Sequence, residues 1–373
     1  MILQNVPQLN GREKEYLLDC LESNWISSQG KYIQAFEQSF AEYCGVRFGL
    51  ACSSGTAALH LALLALDIGF GDEVLVPDFT LIADANMVIL TGARPVFVDV
   101  DPETWCLDSG QLEAKITAKT KAILCVHMFG HPCDMEAIRR IARDRGLFVI
   151  EDAAQAHGSE YRGKKTGSLG DVACFSFYAS KTLTTGEGGM VLTDRPEIAE
   201  KVALLRSHGF EGSDRVYVHR VFGCNYRLTN LQAAIGLAQC ERIDEKVETK
   251  RRIYETYRRE LRDFDPLTFQ VTRPWAGSTY WNVAVLLKGG PGPSCLELVE
   301  KLKARGIQTR YFFNSLHRQP LFQDSRDPRY PRVDGSYPVS DFLSDHGLCL
   351  PSGLDLTAAE IQTVAEALKS CWD

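Results

Sequence analysis

Long apolar runs are missing: no stretch of the 373-residue chain approaches the 18 or so consecutive apolar residues that a membrane-crossing helix requires. Residues Met1 to Cys20 lack the basic start, apolar middle and small-residue cleavage site of a secretory leader, so a cytoplasmic protein with no membrane partner is expected. Paired cysteine spacing is missing as well. Twelve cysteines occur without a Cys-x-x-Cys pair, and several lie inside apolar runs such as Ala122 to Val126, which predicts reduced, buried thiols. There is no surplus of positive charge. A net charge of −7 argues against nucleic acid as a partner but leaves room for a local basic pocket around a phosphorylated ligand. Internal repeats and low-complexity segments are absent.

What is present is an ordinary globular composition, 45% hydrophobic and 24% charged, enough to bury a full core. Single cores stop growing at roughly 250 to 300 residues, so two domains are expected, a large one over 1–245 and a small one over 246–373. Apolar spacing predicts amphipathic helices over Gly11–Leu21 and Ile33–Cys44. Short β-rich runs follow at Phe48–Cys52, Glu73–Val76, Pro95–Val100, Ala122–His127, Leu147–Ile150, Val172–Phe177 and Met190–Leu192. Helical patterns such as Thr56–Leu66 and Met135–Arg145 lie between several of them. That alternation predicts an α/β fold with a mostly parallel sheet covered by helices, one edge departing where the last two runs crowd together. Leu228–Arg259 reads as helices leading out of the large domain. Strands at Trp281–Leu287 and Gln308–Phe312, with helices at Ser294–Arg305 and Thr357–Cys371, predict a small α/β unit. Gln319–Ser340 reads as a surface excursion or lid.

Three pieces carry chemistry. Ser53-Ser54-Gly55-Thr56 sits between a strand and a helix, where unpaired N–H groups suit a phosphate, although Ser and Thr are also ordinary N-caps. Val149 to Gln155 is an apolar strand ending in Glu151 and Asp152; Asp152 suits a metal, a general base, a helix cap or the partner of a protonated ring nitrogen. Phe175 to Lys181, followed by the glycine-rich Thr184 to Met190, can hold an amine at the edge of the sheet, although an isolated Lys in such a setting is more often a solvated loop residue. Desolvation favours a neutral amine fit for a Schiff base. Together these supply a phosphate cradle, a carboxylate for a pyridinium nitrogen and a lysine that captures an aldehyde, the requirements of pyridoxal 5′-phosphate.

On these motifs, and on Trp25 to Gly30 and Asn225 to Ala234, nearly the whole chain resembles the DegT/DnrJ/EryC1/StrS sugar aminotransferases of the aspartate aminotransferase fold, type I. The resemblance implies that Lys181 holds the cofactor covalently and moves the proton between Cα of the amino donor and C4′ of the cofactor. It implies that Asp152 keeps the pyridine nitrogen protonated, Gln155 lies near the phenolic oxygen, and Gly55, Thr56 and Ser176 hold the phosphate. Asn225 would reach the phosphate of a neighbouring subunit, which implies a homodimer with shared sites. Leu81 stands where the family often stacks an aromatic ring on the cofactor, after Pro77-Asp78-Phe79-Thr80. Glutamate is the donor the family implies and a nucleotide-linked keto sugar the acceptor, for surface polysaccharide or lipopolysaccharide synthesis. Ile26-Ser27-Ser28 and Asn225-Tyr226-Arg227 resemble the enzymes that aminate C4 of a 4-keto-6-deoxyhexose. Alternatives are C3 sugars, eight-carbon keto acids, a dehydratase, which in this family replaces the lysine with His, and a non-catalytic relative.

Other signals have plainer readings. Gly158 to Lys165 nearly fits a P-loop, but Lys165 stands where Ser or Thr must bind magnesium, and a hairpin is expected. His127, His131, Cys133 and Asp134 lack paired ligand spacing, so no metal is expected. Trp25, Ser28, Lys31, His127, Arg227, Tyr311 and His317 are the candidates for holding the sugar and its diphosphate, since cations suit phosphates and aromatic faces suit sugar rings.

Overall fold

The computed structural model describes residues 1–210, 219, 221–324, 327, 329–333 and 335–372. The chain opens with helices α1 (Glu13–Glu22) and α2 (Lys31–Cys44), then strand β1 (Phe48–Cys52), α3 (Gly55–Ala65), β2 (Glu73–Pro77), α4 (Ala83–Leu90), β3 (Arg94–Val98) and α5 (Leu112–Lys115). Next come β4 (Thr120–Val126), α6 (Met135–Arg145), β5 (Phe148–Asp152), β6 (Glu160–Tyr161), β7 (Lys164–Lys165), β8 (Val172–Ser176), β9 (Gly189–Thr193), α7 (Pro196–Leu205), α8 (Asn230–Cys240) and α9 (Ile243–Glu260). The remainder holds β10 (Leu267–Phe269), β11 (Ala276–Gly277), β12 (Val283–Leu287), α10 (Cys295–Ala304), β13 (Arg310–Tyr311), α11 (Pro320–Gln323), α12 (Pro338–His346), β14 (Gly347–Leu350) and α13 (Ala358–Lys369).

Seven strands form one sheet in the order β1-β9-β8-β5-β4-β2-β3. All run parallel except β9, which pairs antiparallel with β1 and β8 because a short Gly-rich turn, not a helix, joins it to β8. The carboxyl ends of β1, β2, β4, β5 and β8 therefore open on one edge. Helices follow from local pattern: α2 buries Tyr32, Phe36, Phe40 and Cys44 at four-residue spacing and stops at Gly45, whose φ of 75° few other residues tolerate. Helix α3 is buried nearly all round, with Ser54 capping its start through the Ala57 N–H. The long helical reading over Leu228–Arg259 resolves into α8, opened by a Thr229/Gln232 capping box, and α9.

The late part of the chain builds an antiparallel sheet, β10-β12-β14-β13, backed by α9, α10 and α13 around Ile253, Tyr257, Val283, Leu298 and Val364. The extreme N-terminus joins it: Ile2 bridges Ile307, and Gln4 O accepts the Ser352 N–H. The β6–β7 hairpin forms where the near P-loop lies. Gln319–Ser340, of which 325, 326, 328 and 334 lie outside the described residues, is exposed or half-buried at most of its described positions. Phe322 and Tyr337 are buried, and both pack on Phe97. No helix among the described residues is long and apolar enough to cross a membrane.

Candidate active site

Because parallel strands deliver their ends to one edge, Ser53–Thr56 after β1, Asp152–Gln155 at and after β5, and Ser176–Lys181 after β8 converge there. Gly55 shows how tightly: a Cβ on it would lie 2.6 Å from Ser176 Cβ. The first N–H groups of α3 have no intrahelical partner, and Gly55, followed by Thr56, opens the helix beside the Ser176 hydroxyl.

Lys181 sits in a loop tied down by Thr184 Oγ1 on Phe177 O at 3.0 Å and by the Phe177 N–H on Gly188 O at 2.8 Å. Its Nζ stands 3.9 Å from the centroid of the Trp281 ring, and Trp281 Nε1 donates to Ser180 O at 2.7 Å. One buried indole thus supports the amine and pins the residue before it. Burial lowers the Lys181 amine to about 8, against the opposing pull of Asp152.

Asp152 ends β5, 7% exposed, with Oδ1 accepting the Ala154 N–H at 2.9 Å. Burial raises its carboxyl, while that N–H and Lys181 act the other way. Beside it lies Asp84 from the first turn of α4, wholly enclosed. Thr80 Oγ1 donates to Asp84 Oδ2 at 2.7 Å, but Asp84 Oδ1 has no hydrogen-bond partner. Burial, then the nearby Asp152, push the Asp84 carboxyl well above the usual range. Gln155 is buried, its Oε1 accepting the Phe129 N–H at 2.9 Å. Leu81 is 45% exposed at the same edge.

Three of the substrate candidates have close neighbours of their own in the structure. His127 is fully enclosed: its Nε2 lies 2.9 Å from Glu151 Oε2 and its Nδ1 accepts the Cys133 N–H at 3.1 Å. Glu151 is in turn held by the N–H groups of Gly167, Leu169 and Gly170. Both nitrogens are engaged, and His127 braces the strand ends. Tyr311 faces the α10 side, with Cys295 and Glu300 as its electrostatic neighbours. Strand alternation turns its neighbour Arg310 the other way, where its charge acts on Lys181. The His317 ring is held by Asp78, Nδ1 to Oδ2 at 2.7 Å, with Nε2 3.6 Å from Asp341. It joins two segments.

The other candidates divide between two hollows. Trp25 and Lys31, with Asp19 and Asn230, line one of about 460 Å³, where Lys31 pairs with Asp19 at 2.9 Å. Ser28 and Arg227 line another of about 210 Å³; Arg227 bridges Cys52 at the end of β1, and its Nε donates to Asn225 Oδ1 at 3.2 Å. Asn225 itself is exposed. A larger hollow of about 670 Å³, among Arg139, Arg140, Arg143 and Arg162, opens at the opposite ends of β5 and β8, away from this chemistry. His131 Nδ1 lies 2.7 Å from Pro132 O, and Asp134 caps α6. No group of three or more His, Cys, Asp or Glu among the described residues is arranged to hold a metal ion.

Sequence reasoning missed Asp84, Trp281 and Arg310. Asp84 had one signal, a lone carboxylate in the otherwise largely apolar stretch Ala83–Leu90; Trp281 read only as the head of an apolar strand.

Residues 7–369 match the DegT/DnrJ/EryC1/StrS aminotransferase family. The chain is 45% identical over 366 residues to GDP-perosamine synthase of Caulobacter vibrioides, covering 97% of this chain and 96% of that protein. It is 43% identical to GDP-perosamine synthase of Escherichia coli O157:H7, with 97% and 96% covered. Among solved structures it resembles Helicobacter pylori PseC, an aminotransferase involved in the biosynthesis of pseudoaminic acid, with TM-score 0.93 at 27% identity over 100% of this chain and 99% of that one. An amine lowered by burial, a buried acid beside it and a helix start packed closely on Ser176 fit pyridoxal phosphate. The chain therefore belongs to the DegT/DnrJ/EryC1/StrS aminotransferase family and is a pyridoxal phosphate-dependent enzyme.

Proposed function

We propose that the protein moves an amino group from glutamate to a nucleotide-linked keto sugar, a 4-keto-6-deoxyhexose of the kind that leads to GDP-perosamine, and that it works as a homodimer. The observation that carries this reading is the Lys181 amine, lowered to about 8 and held over Trp281 at the edge where Asp152 ends its strand. The similarity to two GDP-perosamine synthases supports the sugar class.

Pyridoxal phosphate, when bound, supplies an aldehyde that captures amines and a ring that withdraws electrons from the captured carbon. The protein's part is positioning and proton handling. Lys181, half neutral near pH 8, accepts and returns the proton in both half-reactions. Asp152 would hold the ring nitrogen as an anion, Gln155 would lie at the phenolic oxygen, and Gly55, Thr56 and Ser176 would hold the phosphate. Leu81 would cover the ring, giving up the ~0.5–1.5 kcal/mol that an aromatic pair adds beyond area. Arg310 offers a cation near the amine for the donor's carboxylate. Trp25, Ser28, Lys31 and Arg227 are assigned to the sugar and its diphosphate. Asn225, exposed in one chain, reaches the neighbouring subunit's phosphate; exposed Trp25, Ile26 and Phe222 suit burial in such a dimer. The division at residue 245 is retained for the two domains, the separate core around β12 supporting it and the Ile2–Ile307 bridge crossing it.

Three measurements test this reading. The purified protein shows the visible band of bound cofactor, and Lys181→Ala abolishes it. Glutamate yields 2-oxoglutarate; a cofactor band unaffected by every amino donor tried rejects transamination. A panel of nucleotide-linked 3-keto and 4-keto sugars, scored by product mass, gives an aminated 4-keto product; amination of the 3-keto sugars alone rejects the assignment.

A further inference from the structure

We propose that Asp84 is a positioning residue for the cofactor's ring nitrogen: neutral and protonated, it donates a hydrogen bond from Oδ1 to the Asp152 carboxylate and holds that carboxylate in place as the anion. This rests on the reading that Asp152 faces the ring nitrogen. The geometry has four parts. Asp84 is 0% and Asp152 7% exposed, so neither carboxylate has water enough to share the pocket as two anions. Asp84 Oδ2 is taken by Thr80 at 2.7 Å, while Oδ1 has no donor at all. Asp152 Oδ1 accepts the Ala154 N–H at 2.9 Å, which stabilises charge on Asp152. Lys181 acts on both carboxyls, and His127 adds to its effect on Asp152.

One proton placed on Asp84 Oδ1 resolves the unpartnered atom and the like-charge conflict together. It belongs on Asp84 because that carboxyl is the more enclosed and has no backbone N–H facing it. The charged groups facing Asp84 are Asp152 from β5 and Lys181 from the loop after β8; Thr80 is the neutral donor. Burial raises both carboxyls, but Asp152 pushes Asp84 further up, whereas the Ala154 N–H, Lys181 and Asp84 pull Asp152 back down. An Asp84 that served only to close the turn at Thr80 would leave Oδ1 buried and unpaired, an arrangement native structures rarely keep.

The test compares Asp84→Asn, Asp84→Leu and Asp152→Ala in the full chain, measured by pyridoxal phosphate titration of cofactor-free protein and by infrared spectroscopy. Asn keeps both a donor toward Asp152 and an acceptor for Thr80, so Asp84→Asn binds the cofactor within a few fold of the unaltered protein. Asp84→Leu removes the donor and weakens binding about tenfold or more, the scale of one hydrogen bond to a charged group. The unaltered protein shows a protonated-carboxyl stretch at neutral pH that Asp84→Asn lacks. Absence of that stretch overturns the proposal, as does an Asp84→Leu protein that binds like the unaltered one. Should Asp84→Leu fail to fold, Asp84→Asn and the infrared band decide. If the unaltered protein takes up no cofactor, or Asp152→Ala changes nothing, the functional reading itself fails; if only the Asp84 results fail, that reading stands.

Discussion

At the scale of single residues, the amine of Lys181 is governed by two surroundings that pull apart. Desolvation favours the neutral form, whereas Asp152 and the face of Trp281 favour the charged one. The net result near 8 makes capture of pyridoxal phosphate by cofactor-free protein rise with pH between about 7 and 9 and then level off. Trp281→Leu takes away the cation-binding face, so the midpoint moves down, by up to about one pH unit if the contact contributes ~1 kcal/mol. Stopped-flow absorbance across that range reads the midpoint, and an upward or absent shift refutes the contact's role. Which residue meets the amine was not legible beforehand. Arg310 and Tyr311 are adjacent, and only the register of β13 on β14 decides which of them faces Lys181. His127 likewise looked available until Glu151, 24 positions away, proved to hold its ring.

Elements were easier to read than their relations. Every strand of the large sheet falls on a β-rich run, because a strand covered on both faces must be apolar throughout. Helices α4 and α7 escaped: α4 is short, with no strong polar face to set its period, and α7 begins at a Pro that reads as a turn but is well placed at a first helical position. The approach of α3 to β8 is also invisible in sequence, since it is fixed by contact across 121 residues at Gly55 and Ser176. Its consequence is testable. In Gly55→Ala the new methyl lies 2.6 Å from Ser176 Cβ, so α3 and β8 must separate, at a strain of ~1–3 kcal/mol. The hollow between them is distorted, and the affinity for pyridoxal phosphate falls about tenfold or more while a folded far-ultraviolet spectrum remains. Unchanged affinity would remove the cradle from this place. Asn230 is a second such tie, accepting the Tyr32 N–H at 3.1 Å and donating to Trp25 O at 2.7 Å. Asn230→Ala strands these buried groups, lowering stability by ~1–3 kcal/mol in a denaturant melt and freeing the Trp25 loop to proteolysis. A melt and a digestion pattern matching those of the unaltered protein would count against it.

Across the whole molecule, three segments far apart in sequence meet on one buried ammonium. Lys250 Nζ in α9 donates to Trp281 O at 2.9 Å, to Ser352 O at 2.5 Å and to Asn5 Oδ1 at 3.2 Å, three donors for three acceptors while the amine is protonated. The bond to Trp281 also supports, from behind, the residue that carries the Lys181 amine. Burial lowers Lys250 to about 7 from an ordinary 10.5. The sign follows from proton counting. Between about pH 7 and 10.5 the unfolded chain holds a proton that the folded chain has released, so stability rises with pH by up to ~1.4 kcal/mol per unit for this group. Below about 7 both states are protonated and the slope vanishes. Lys181 and Lys246, each lowered to about 8 by burial, add to the rise. Lys250→Met removes one proton from the balance and leaves three acceptors without their donor. Its stability in urea is therefore lower than that of the unaltered protein at pH 7, and the gap widens up to about pH 10 because only the unaltered chain keeps the Lys250 slope. Lys181 and Lys246 are common to both proteins and cancel in the difference. Two stability curves that stay parallel from pH 7 to 10 would mean that Lys250 keeps its proton throughout, and that the meeting point of the N-terminus, α9 and β12 is not proton-linked.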